Sequence, residues 1–129
     1  MPPWPHWTAL TTLVIVAEYY SFSFLVFFAR RRTGIWPPAM VGAPELERAV
    51  RVHLNTLEKL VVVVPSAWIA AWTVGDLPAG AAAGAWAVTR LIYAVGYLRS
   101  PAGRTLGAVL GDVVEVGLLG MAAYGVLVG

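Results

Sequence analysis

The sequence predicts an all-α membrane protein built as a bundle of four transmembrane helices, and two observations carry that reading. Of 129 residues, 59% are hydrophobic and only 12% are charged, with a mean hydropathy of +0.72; ordinary soluble domains carry roughly a quarter charged residues. A chain this small has too few polar side chains to cover itself in water. The second observation is length. A bilayer core about 30 Å thick needs about 20 apolar residues per helix, and four stretches supply them, at about 7–29, 46–74, 79–98 and 102–128. They make one four-helix domain.

The first stretch exceeds the apolar part of a signal peptide, lacks a basic N-terminal flank and ends in Arg30, Arg31 and Arg32, so it reads as a span. A loop with Pro37, Pro38, two glycines and Trp36 follows. Glu45 and Glu47 then open the second span, where carboxylates suit the positive end of the helix dipole. Pro65 should kink that helix. The third span follows the short turn Val74-Gly75-Asp76-Leu77-Pro78. Ser100 and Pro101 read as an N-cap and first-turn proline of the fourth. Gly80 and Gly84, and Gly107 and Gly111, have the four-residue spacing that lets helices approach closely, within a chain or between copies. Trp4, Trp7, Trp72 and Trp86 read as interfacial anchors at the end remote from the arginines.

Charge placement matters more than the net +2. Arg30, Arg31, Arg32, Arg48, Arg51, Arg99 and Arg104 all fall at one end of the bundle. The positive-inside rule puts that end in the cytoplasm. An alanine-, valine- and arginine-rich, lysine-poor usage suggests a bacterial inner membrane. Nucleic acid is not an expected partner, since no basic, aromatic face sits on a soluble module. Cysteine is absent, which excludes disulfides, thiolate metal sites and a cysteine nucleophile. Glu18, Glu58, Lys59, Arg90, Asp112 and Glu115 lie inside the spans, where unpaired charges cost a few kcal/mol each. At about 1.5 Å of rise per residue, Glu18, Glu58, Lys59, Arg90 and Asp112 share one layer near mid-membrane. Depth suggests the pairs Arg90 with Glu58 and Lys59 with Glu18.

Two polar stripes point to chemistry. Arg51, Asn55 and Glu58 recur at i, i+4 and i+7 on the second helix, and Arg90, Tyr93 and Tyr97 at i, i+3 and i+7 on the third. Arg104 follows just past the proline turn. Guanidinium groups for carboxylates, an amide for peptide groups and a carboxylate for an amine suit a small, acidic, zwitterionic peptide.

At these residues the sequence resembles the MAPEG superfamily, the membrane-associated proteins of eicosanoid and glutathione metabolism. The run from Glu47 to Glu58 carries its Arg-x-x-x-Asn-x-x-Glu pattern. The His53-Leu54-Asn55 form is similar to its microsomal glutathione transferase and prostaglandin synthase branches. Arg90 to Tyr97, with Arg104 beyond, is similar to the second family block. The resemblance implies a homotrimer holding glutathione as co-substrate at each subunit interface. Arg51, Asn55, Glu58, Tyr93, Tyr97 and Arg104 would be its ligands, with Arg30 or Arg31, and His53, reaching in from a neighbouring subunit. Arg104 would stabilise the glutathione thiolate, and Thr105 would donate a hydrogen bond to the sulfur. Two positions depart from the pattern: Lys59 replaces an aromatic residue of the leukotriene-synthase branch, and Thr56 a frequent aspartate.

The expected activity is a membrane-bound glutathione transferase acting on lipophilic electrophiles that enter from the lipid, with reduction of lipid hydroperoxides possible at the same sulfur. A family member that binds lipid and scaffolds a partner is the alternative. A four-helix multidrug exporter is a third reading, and it leaves the arginine and tyrosine stripes without a purpose.

Overall fold

The structure, a computed structural model, describes residues 3–129. Among them the chain forms α1 (His6–Thr33), α2 (Pro44–Thr73), α3 (Asp76–Arg99) and α4 (Arg104–Val128), with one 3-10 turn at Pro101–Gly103 before α4. All four are long and apolar enough to cross a membrane. They run up and down, so the arginine-rich loops gather at one end and the α2–α3 turn lies at the other.

Local chemistry sets the helix ends. Gly34, at φ +72°, closes α1 in the left-handed conformation that glycine adopts without strain, its N–H donating to Arg30 O at 2.8 Å. The N-terminus of α1 has no cap from its own Pro5. Asp76 at the start of α3 supplies one instead: its carboxylate accepts from the backbone N–H groups of Trp7 (2.9 Å) and Thr8 (2.8 Å). Pro44 starts α2 where no N–H is needed. Glu47 accepts from the Gly42 N–H at 3.1 Å, and Glu45 pairs with Arg32. Helix α2 continues through Pro65. Ser100 caps the 3-10 turn, its Oγ accepting from the Gly103 N–H at 3.1 Å. The fourth helix proper thus begins at Arg104, two residues later than the sequence suggests.

Helices α2 and α3 pack against each other and against both α1 and α4. The central core joins Ile15, Val63, Ala67, Ala83, Trp86, Ala87 and Leu118. One glycine of each pair makes its close approach within the chain. A Cβ on Gly80 would meet the Trp7 backbone at 2.8 Å, and one on Gly107 would run into the Tyr93 backbone. Outside this seam the helices present leucine, valine and phenylalanine to their surroundings, as lipid-facing helices do.

Candidate functional site

A cavity of about 340 Å³ opens between α2, α3 and the first turns of α4. Asn55 and Lys59 reach it from one face of α2, and Arg90 and Tyr93 from one face of α3. Arg104, Thr105, Ala108, Val109 and Asp112 reach it from α4. Arg90 is the organising group. It is 1% exposed, and its Nη2 donates to Asn55 Oδ1 at 3.0 Å, which leaves the Asn55 amide N–H groups as donors. Its guanidinium lies 4.0 Å from the Tyr93 ring centre and 5.6 Å from that of Trp86. Tyr93 and Tyr97 are 5.8 Å apart, and the Arg104 guanidinium lies 5.7 Å from the Tyr97 ring. The result is a ladder of cation, two aromatics and cation along one wall.

Both ion pairs inferred from depth are corrected. Lys59 donates to Asp112 Oδ1 at 2.7 Å and to Glu115 Oε2 at 3.0 Å, not to Glu18. Arg90 takes Asn55 and the tyrosine face in place of Glu58. Glu18 Oε1 and Arg90 Nε are buried with no hydrogen-bond acceptor or donor among the described residues. Trp86 is corrected too: it lies in the core at 0% exposure, its Nε1 donating to Glu115 Oε1 at 2.9 Å. Ten residues into α3 it sits near mid-span, too deep for an interfacial anchor.

The sequence-predicted residues divide into three groups. Asn55, Tyr93, Arg104 and Thr105 line the cavity together, and Tyr97 adjoins it through Tyr93 and Arg104. Arg51 and Glu58 are exposed and make no hydrogen bond or ion pair with the described residues. The last three lie elsewhere on this chain. His53 stacks on Tyr19 of α1 at 4.7 Å and 13°. Arg30 Nη1 donates to the carbonyls of Ile35 (3.1 Å) and Ala39 (2.7 Å), bracing the first loop. Arg31 is exposed beside Phe27.

The sequence matches the MAPEG family over residues 8–124. The chain belongs to that family. Among curated relatives, an uncharacterised protein of Synechocystis is 34% identical over 107 residues, 83% of this chain and 78% of the relative. Mouse leukotriene C4 synthase is 32% identical over 120 residues, 93% and 80% of the two chains. Human microsomal glutathione S-transferase 2 is 26% identical over 119 residues, 88% and 81%.

In this MAPEG chain the cavity wall includes Arg90, already on the expected α3 stripe, and adds Lys59, which sequence reasoning paired with Glu18, and Asp112, which it placed in the mid-membrane layer without a partner. A signal was present. Lys59 lies one turn beyond Asn55, and Asp112 lies two turns beyond Arg104, so each shares a helix face with an expected ligand.

Proposed function

We propose that this MAPEG protein is a membrane-bound glutathione transferase that joins the glutathione thiolate to lipophilic electrophiles. The observation that carries the reading is the convergence of Asn55, Tyr93, Arg104 and Thr105 on one cavity at the arginine-rich end. Arg51 would take a carboxylate of the peptide, Glu58 its amino group and Asn55 its amide backbone. A free thiol near pKa 8.5 is mostly protonated at neutral pH. Arg104, in the first turn of α4, adds a full charge to the positive end of that helix dipole, and both favour the thiolate. The sulfur attacks the electrophilic carbon, forming a C–S bond as the leaving group departs with its electron pair. The relatives named for leukotriene C4 synthase and glutathione S-transferase support the same chemistry.

In this reading the protein works as a homotrimer in a bacterial inner membrane, with the arginine end in the cytoplasm. Arg30 or Arg31, and His53, complete the site of a neighbouring copy. Calorimetric titration of the detergent-purified protein with glutathione tests it. The wild type binds, Arg51→Ala weakens binding by about 1–3 kcal/mol, and native mass spectra show three chains. No binding by the wild type, or equal binding by the variant, overturns the assignment.

A further inference from the structure

At the end of the cavity away from Arg104, one carboxylate oxygen stands without a partner among the described residues. Lys59 is shared by two carboxylates, Asp112 at 2.7 Å and Glu115 at 3.0 Å. Glu115 is fully engaged, since its other oxygen accepts from Trp86 Nε1 at 2.9 Å. Asp112 is not: only Oδ1 is bonded, Oδ2 makes no hydrogen bond with the described residues, and the side chain is 60% exposed. Asp112 therefore keeps one oxygen available to a ligand.

Asp112 stands at a junction. Asp112 and Val109 belong both to the polar cavity and to an apolar groove of about 370 Å³, which continues along α4 to Val113 and Val116. Asp112 follows Thr105 by seven residues, two turns along the same helix face, which is about 10 Å of rise. It is too far from Arg104 and Thr105 to pass a proton to the reacting centre, yet well placed to meet a substituent further along the same substrate. Beside the apolar groove, a carboxylate attracts a cation and repels an anion.

We propose that Asp112 is a specificity-determining residue. Its unengaged oxygen selects lipophilic electrophiles that carry an ammonium or hydroxyl group about 10 Å from the reacting carbon, and it repels those with a carboxylate there. The preferred co-substrate is therefore an amphiphilic amine or alcohol, its polar group roughly eight bonds from the electrophilic centre. This inference rests on the transferase reading above.

The test uses three α,β-unsaturated ketones of equal chain length, ending in ammonium, methyl or carboxylate about eight bonds from the β-carbon. Thiolate adds to that carbon, the electron pair moves to the enolate oxygen, and water reprotonates the enolate. The readout is the kcat/KM ratio of the ammonium to the carboxylate compound. The purified wild type should favour the ammonium compound by about 30-fold or more, and Asp112→Asn should bring the ratio within about threefold. Comparing one ratio between two proteins cancels differences in micelle partitioning. A wild type that turns over the methyl compound but treats the two charged ones alike overturns the role of Asp112 and leaves the transferase standing. So does an unchanged ratio in Asp112→Asn. No turnover of any of the three overturns the transferase reading and this inference with it.

Discussion

The two ends of the bundle use their polar groups differently. At the α2–α3 turn they are spent on the fold. Asp76 closes the N-terminus of α1 with two backbone hydrogen bonds. Trp68 donates to Thr12 at 3.0 Å, and Trp4 packs against Trp68 and Trp72. At the arginine end some charges also hold structure, with Arg30 and Arg48 bonded to carbonyls and Arg32 paired with Glu45. The Arg51 and Glu58 side chains, however, have no hydrogen bond or ion pair among the described residues, and neither has that of Arg104, whose guanidinium lies 5.7 Å from the Tyr97 ring. Charged groups without partners add little to stability. In the transferase reading proposed above, glutathione supplies the missing partner. One end is closed by its own contacts, and the other leaves charged side chains unengaged among the described residues.

Three substitutions sharpen that division. Arg104→Ala should have the largest effect, confined to chemistry. The conjugation rate at neutral pH should fall by about 10- to 1,000-fold, and the pKa of bound glutathione thiol should return toward about 8.5. Ultraviolet absorbance of the thiolate across a pH series reads this directly, and the melting temperature should hold. If both the lowered thiol pKa and the full rate survive, the thiolate is stabilised by another group. At the opposite end, Gly80→Val should cost about 1–3 kcal/mol by forcing α1 and α3 apart. That appears as earlier thermal unfolding in detergent, while glutathione affinity of the folded protein is kept. A variant that melts like the wild type contradicts the close approach at Trp7. Asp76→Ala should give the smallest change, about 1 kcal/mol from a lost cap. An effect on glutathione binding as large as that on melting would break the separation of the two ends.

The helices were legible because hydropathy and length suffice for spans, and each predicted boundary lies within a few residues of the observed one. The close approach at Gly80 and Gly107 was legible from spacing, though whether it joined helices of one chain or of two required coordinates. Side-chain partnerships were harder. Rise along a helix gives depth, and depth correctly put Lys59 and Asp112 in one layer, but it says nothing of the rotation of each helix about its axis. Lys59 consequently turned out to face α4, where Asp112 and Glu115 lie one turn apart. Trp86 was misread because tryptophan is common at membrane interfaces; here Glu115 gives its indole N–H an acceptor inside the core. Part of the candidate site was visible as two stripes. That Arg90 fixes Asn55 and faces Tyr93 depends on how α2 and α3 rotate against each other, which no single-helix pattern contains.

Gly107 sets a dimension of the site without lining it. Because it has no side chain, α4 lies directly on the Tyr93 backbone, and an added Cβ would sit 2.7 Å from Tyr93 Cβ and closer still to its main chain. Arg104 and Thr105 lie within one turn of that contact, so the thickness of a single methyl group there would widen the gap between them and the α3 wall. The spacing across the cavity is thus gauged by an absent atom. A residue that touches no ligand can be as intolerant of change as those that do, and a scan confined to side chains pointing into the cavity would pass over it.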